Sequence, residues 1–211
     1  MNTIRILLAD DHAVVRQGFR AIFAQQADMQ IVGEAGNGRD VLTQAQESSP
    51  DVIVMDVAMP ELNGIEATRR LSTSLPNTRV LALSMHKDSV YVREMLKAGA
   101  KGYLLKDSVE HDLLEAVRTL ARGGEYISPA VQSALNSPYR IAATTPLDLL
   151  TSREREVLQL IAEGKTNKEV AVLLNISVFT VDAHRGRIME KLNVHNVNEL
   201  VRFAVRHGLV D

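Results

Sequence analysis

The sequence has no cysteine among its 211 residues. Disulfides and thiolate metal sites are therefore excluded, and a reducing cytoplasmic location is expected. Long apolar runs are also missing. None approaches the roughly 20 residues needed to cross a bilayer. The chain enters a strand-like run at once, with no basic n-region or cleavage site, so no signal peptide is expected. Nor does one sign of charge dominate. The formal net charge is −2, which leaves no bulk pull toward nucleic acid or membrane. The remainder is an ordinary globular composition, long enough for one large domain or two small ones.

Where the acids fall is informative. Four apolar runs each end in a polar residue. Residues 4–9 lead into Asp10 and Asp11, 52–55 into Asp56, 80–83 into Ser84, and 102–105 into Lys106. Short apolar runs of this kind read as buried parallel strands. Open α/β sheets bind ligands at the carboxyl ends of their strands. Three carboxylates, a hydroxyl and an ammonium are thus expected at one sheet edge.

Strand candidates at 4–9, 30–34, 52–56, 80–84 and 102–105 alternate with helix candidates at 12–25, 38–48, 64–74, 88–98 and 109–122. Five such units in a row predict a parallel sheet with helices on both faces. Gly123-Gly124 closes this first domain, residues 1–122. Residues 123–146 read as a linker, most clearly over 137–146, with its prolines and paired threonines. A short candidate helix lies at 129–135. Residues 147–211 are wholly helical in pattern. Thr151 with Glu154 and Thr166 with Glu169 fit capping boxes. Ser177 is a good N-cap for a helix over 178–192. A fourth helix is expected over 197–205, before a stop at Gly208. A tight turn at Asn175-Ile176 suggests helix-turn-helix.

Magnesium takes one or two carboxylates, with other oxygens completing its shell. One carboxylate is then left as a nucleophile for aspartyl-phosphate chemistry. Asp56 is the choice, being central and followed by a loop over 57–64. Lys106 and the metal would offset charge on the transferred oxygens. Ser84 offers a hydrogen bond to the new phosphoryl group. Taken singly, Asp56 reads as a helix cap, Lys106 as a surface charge and Ser84 as a turn residue. Their joint occurrence at successive strand ends carries the functional reading.

Asp10-Asp11, Asp56 followed by Met59-Pro60 and Gly64, Ser84 and Lys106 together make residues 1–122 resemble a receiver domain of bacterial two-component response regulators. The resemblance implies a flavodoxin-like fold with a five-stranded parallel sheet in the order 2-1-3-4-5. It implies phosphorylation of Asp56 by a sensor histidine kinase. It implies Mg2+ or Mn2+ on Asp10, Asp11, Asp56 and the backbone carbonyl of Ala58. Tyr103 matches the family's aromatic switch, and a half-buried strand aromatic is its plainer reading. Asp107 follows Lys106 where many receivers have proline. A non-proline cis bond is costly, so a trans bond or a local rearrangement is expected there. Ala58 and His86 flank the site at variable positions.

Residues 148–211 hold nine Lys or Arg and nine Asp or Glu, a weak footing for DNA binding on charge alone. Periodicity buries Val181, Ile188 and Leu192 and exposes Asp182, Ala183, Gly186 and Arg187. The stretches 150–158 and 164–171, with Ile176-Ser177, Thr180-Val181, His184 and 188–192, resemble the LuxR-type helix-turn-helix. Both halves together are similar to the NarL/FixJ subfamily. By that resemblance, the all-α second domain has four helices and 178–192 enters the major groove. Lys168, Thr180, Arg185 and Arg187 then contact phosphates, and Asp182, Ala183 and Gly186 read bases. Asp182 departs from the lysine of many relatives and suits cytosine N4 instead. His184 reads as structural. Val197, Leu200, Val201 and Ala204 form an apolar stripe that serves internal packing and, by resemblance, a homodimer contact. Paired DNA half-sites and RNA polymerase are the further expected partners. Two rivals stand beside this regulator. One is an aspartyl-phosphate phosphatase, which needs a second acid where Ala58 stands. The other is a regulator controlled by a bound partner, with the first domain as scaffold.

Overall fold

The computed structural model describes residues 3–85, 89–135, 146–207 and 209–210. His86, Asp88, Gly208 and most of the expected 137–146 linker lie outside the described residues. The chain divides into two compact units, residues 1–137 and 138–211. No described helix is long and apolar enough to cross a membrane.

In the first unit, β1 (Ile4–Ala9), β2 (Met29–Ala35), β3 (Val52–Asp56), β4 (Arg79–Ser84), β5 (Gly102–Leu105) and β6 (Tyr126–Ile127) form one sheet. All described pairings are parallel, in the order 2-1-3-4-5-6. Between the strands run α1 (Ala13–Ala24), α2 (Gly38–Ser48), α3 (Gly64–Ser74), α4 (Ser89–Ala98) and α5 (Val109–Ala121), and α6 (Pro129–Leu135) follows β6.

The strand residues alternate between two cores, as the two-residue period of a strand requires. Ile6, Leu8, Val54, Leu83 and Leu104 pack with Phe19 and Phe23 of α1 and Leu113 and Val117 of α5. Leu7, Ile53, Met55, Ala82 and Tyr103 pack with Val41, Leu71 and Met95 of α2, α3 and α4. Burying each large apolar side chain stabilises the fold by about 1.5–3 kcal/mol. Burial on both faces explains why the strands read as unbroken apolar runs. The strand order reverses between β1 and β3, and the crevice at such a reversal is where these folds place a ligand.

The sheet has six strands, where five are expected from the sequence. Gly102 pairs with Tyr126 and Tyr103 with Ile127, and Val131 of α6 is fully buried in the core. The extra strand is two half-buried residues at the sheet edge, too short to leave a periodic signal. The first part of the expected linker is therefore packed structure.

The second unit holds α7 (Ser152–Ala162), α8 (Asn167–Leu174), α9 (Val178–Leu192) and α10 (Val197–Arg206). Both capping boxes are formed, and Ser177 caps α9 by accepting from Thr180 N–H. Asn175 ends α8 at φ 51°, a left-handed conformation that asparagine tolerates. Val157, Leu160, Val170, Val181, Ile188, Leu200 and Ala204 share one core.

Candidate functional site

The carboxyl ends of β1, β3 and β5 bring three predicted residues into contact. Lys106 Nζ donates to Asp10 Oδ2 at 2.8 Å and to Asp56 Oδ2 at 2.7 Å. Asp10 and Asp56 are almost wholly buried, while Asp11 beside them is exposed. Asp10 also accepts from the His12 backbone N–H at 2.8 Å. Burial pushes the Asp56 carboxyl up to about 6, and the nearby Asp10 and Asp11 charges add to this against the lowering effect of Lys106. Burial opposes the Lys106 ammonium, but its bonds to Asp10 and Asp56 win and its pKa is raised. Two buried acids and one bridging cation thus form a coupled set.

Ser84 ends β4 and is buried. A hydrogen bond joins its hydroxyl to the Tyr103 phenol, whose pKa burial pushes up to about 12. Tyr103 has no exposed surface. It is therefore turned fully inward rather than half-buried. The Lys106–Asp107 bond is trans, because no described peptide bond is cis. Lys106 opens a short 3-10 turn, Lys106–Ser108, that leads into α5. Ala58 is half-buried two residues beyond Asp56.

Two Asn-Gly pairs, of which the sequence singled out only Gly64, start α2 and α3 beside this crevice. Asn37 and Asn63 cap α2 and α3 by accepting from Asp40 and Glu66 N–H. Gly64 N–H donates to Val57 O at 2.9 Å, and Gly38 N–H to Leu62 O at 2.9 Å. A Cβ on Gly64 would lie 2.0 Å from the Asp56 carbonyl oxygen. Only glycine lets α3 start this close to the strand end. His12 was also missed, though it directly follows Asp10-Asp11. Asp10, Asp11, His12 and Asp56 each present a ligand atom, all within 4.8 Å of one another.

In the second unit, the even charge count conceals an uneven distribution. Glu154 accepts from Lys191 Nζ at 2.7 Å and from Thr151 N–H at 2.8 Å. Burial works to raise the Glu154 pKa, but these bonds outweigh it and hold it low. Glu156 pairs with Arg153. Glu169 and Glu199 cap helices. These acids are engaged in maintaining the fold. Lys168 and Arg187 are exposed and Arg185 is half-exposed. Among the described residues none of these three forms an ion pair, so three free cations lie on or beside α9, with Asp182 and Glu190 the exposed acids of that helix.

Of the other predicted contacts, Asp182 and Gly186 are exposed and Ala183 half-exposed. Asp182 accepts from Asn167 Nδ2 at 2.6 Å, which fixes its carboxylate at the start of α8. Thr180 is half-buried, its hydroxyl bonded to that of Ser177 at 2.8 Å. His184 is half-buried, and its Nδ1 has no hydrogen-bond partner among the described residues. The apolar stripe on α10 divides. Leu200 and Ala204 have no exposed surface and pack in the core, so they are closed to a partner. Val197 is 38% exposed and Val201 half-buried.

Comparison with known proteins covers both units. A family described as the response regulator receiver domain matches residues 6–118. A second, described as bacterial regulatory proteins of the luxR family, matches residues 148–204. The chain is 42% identical to the oxygen regulatory protein NreC of Staphylococcus carnosus, covering 99% of this chain and 100% of the relative. It is 42% identical to the uncharacterized transcriptional regulatory protein YxjL of Bacillus subtilis, covering 98% and 97%. Among solved structures it is similar to RcsB from Salmonella enterica serovar Typhimurium, bound to promoter P1flhDC in the presence of phosphomimetic BeF3−. That match has a TM-score of 0.60 at 25% identity and covers 96% and 98% of the two chains. RcsB dimers bound to two parallel DNAs match with a TM-score of 0.62 at 26% identity, covering 97% and 98%.

Proposed function

The chain belongs to the NarL/FixJ response regulators of two-component systems, with a receiver and a LuxR-type DNA-binding domain, and from that premise we propose a transcriptional regulator switched by phosphorylation of Asp56. Its relatives are regulators and not dedicated enzymes. The observation that carries the reading is the Lys106 ammonium bridging Asp10 and Asp56 beside the Ser84 strand end.

The phosphoryl donor is a sensor histidine kinase. A carboxylate oxygen of Asp56 attacks phosphorus, the P–N bond of the phosphohistidine breaks, and the imidazole leaves with the bonding pair. An acyl phosphate remains on Asp56. Asp10, Asp11, Asp56 and the Ala58 carbonyl would hold Mg2+ or Mn2+, an all-oxygen set suited to a hard cation. Asp10, Asp11 and Asp56 each present a carboxylate oxygen in a group, with His12, whose ligand atoms lie within 4.8 Å of one another. That cation supplies charge stabilisation to the transferred oxygens.

Lys106 already shares its ammonium between two acids, so it needs little movement to pair with a phosphoryl oxygen. A serine hydroxyl has one donor and two acceptor sites. Ser84 therefore donates to the phosphoryl group while accepting from the Tyr103 phenol. The two contacts reinforce one another, so phosphorylation would strengthen the inward, Ser84-bonded position that Tyr103 already takes on the β4–β5 side of the receiver. This biases a two-state equilibrium toward a DNA-competent form.

In that form α9 enters the major groove. Lys168, Thr180, Arg185 and Arg187 contact phosphates, and Asp182, Ala183 and Gly186 face bases. Val197 and Val201 of α10 provide the homodimer contact, and paired half-sites follow from a two-fold dimer. The DNA-bound, dimeric RcsB structures support this part of the reading. RNA polymerase is a further partner, and the cytoplasm is the location.

The test combines sedimentation with duplex binding, with and without a small phosphodonor and magnesium. The phosphodonor is expected to raise both dimer fraction and affinity in the wild type and neither in Asp56→Asn. Equal behaviour of the two proteins would instead support control by a bound partner.

A further inference from the structure

The outward side of α9 reaches one turn nearer its N-terminus than the motif residues indicate. Phe179, at the second helical position, is 82% exposed. Positions 179, 182, 183 and 186 follow the i, i+3, i+4, i+7 spacing that shares one helix face. Val181 and Ile188 on the other side have no exposed surface. Nothing lies within 4 Å of where a Gly186 Cβ would stand, so the face is open at that end as well. Phe179 thus continues the row of Asp182, Ala183 and Gly186.

Single exposed apolar residues are common on protein surfaces. Position distinguishes this one, because the N-terminal residues of a recognition helix are those that meet base edges. The polar groups around it are already engaged. Ser177 Oγ holds the Thr180 N–H and hydroxyl, and Asp182 holds Asn167. The first turn of α9 therefore offers the groove an aromatic ring. In the major groove, the apolar group on a base edge is the C5-methyl of thymine, and phenylalanine is among the side chains that pack on it.

We propose that Phe179 packs against a thymine methyl and makes thymine the preferred base at one position of each half-site. This rests on the reading of α9 as the DNA-reading helix. The test uses full-length protein with a small phosphodonor and magnesium, beside Phe179→Ala and Phe179→Leu. Each is used to select duplexes from a random pool. Thymines of the selected site are then replaced singly by deoxyuridine, which removes only the methyl.

For the wild type, one thymine per half-site is expected to lose about fourfold in affinity on replacement, the value of one buried methyl. Phe179→Ala loses the preference at that position alone and is indifferent to deoxyuridine there. Retained preferences elsewhere show that this variant is folded. Phe179→Leu keeps the thymine preference. An unchanged selected sequence and an unchanged deoxyuridine penalty in Phe179→Ala overturn the proposal and leave the DNA reading intact. Failure of all three proteins to select any sequence overturns the DNA reading, and the proposal with it.

Discussion

Asp56 is buried with Asp10 close by, a setting unfavourable to its charged form. Its pKa in the fold, about 6, stands above the ordinary 3.8. A carboxyl whose folded pKa is raised weakens the fold once it ionises. The penalty is absent below the unfolded value, grows between pH 4 and 6, and is full above that. Asp56→Asn removes the charge and keeps the shape. In chelating buffer at pH 8 the variant is expected to be more stable to urea by about 1–3 kcal/mol. The gain should shrink toward zero near pH 4. A destabilised variant at pH 8 would mean that Lys106 outweighs burial. The residues of this crevice were legible in the sequence because each follows a buried strand. Glu154 and Glu169 were legible as capping-box acids, whereas the roles of Glu156 and Glu199 were not, because a charge count cannot separate capping and buried acids from solvated ones.

The close start of α3 is decisive among the elements. Its first residue, Gly64, sits against the Asp56 carbonyl, where a Cβ would approach to 2.0 Å. The nearest atoms belong to the Asp56 backbone carbonyl, which cannot swing aside as a side chain can. Gly64→Ala is expected to destabilise the first unit by more than about 2 kcal/mol. It is also expected to slow phosphoryl uptake by displacing the 57–64 loop. Thermal unfolding and timed labelling with a small phosphodonor check both effects, and wild-type values in both would contradict this packing. Both Asn-Gly pairs stood in the sequence as a visible signal, each at a helix start. The sixth strand carried no such signal, because two half-buried edge residues after Gly123-Gly124 resemble a turn. The α10 stripe was legible as a stripe. Which of its residues another helix covers depends on packing across the unit, and Leu200 and Ala204 proved to be the covered ones.

For the whole molecule, neutrality and DNA binding are compatible because Glu154 and Glu156 are tied into internal pairs and Glu169 and Glu199 into caps, while Lys168, Arg185 and Arg187 keep their charge at the surface. On the proposed reading, Lys168, Arg185 and Arg187 from each protomer of a dimer would give six phosphate contacts. Affinity should then fall with salt at a logarithmic slope of about −5. Arg187→Ala is expected to weaken all sequences alike and reduce the slope by about 2, one contact per protomer. An unchanged slope would remove Arg187 from the interface. The two-part organisation was legible because each half has its own period and its own motifs. The aromatic at the head of α9 was not, because a family pattern marks the positions that match it and says nothing of those that differ.

The most direct test of the central claim is the intact mass of the protein after incubation with magnesium and a small phosphodonor, beside Asp56→Asn. The account predicts a gain of one phosphoryl group in the wild type and none in the variant. A gain in both proteins would contradict it, since the phosphoryl group would then reside on another side chain.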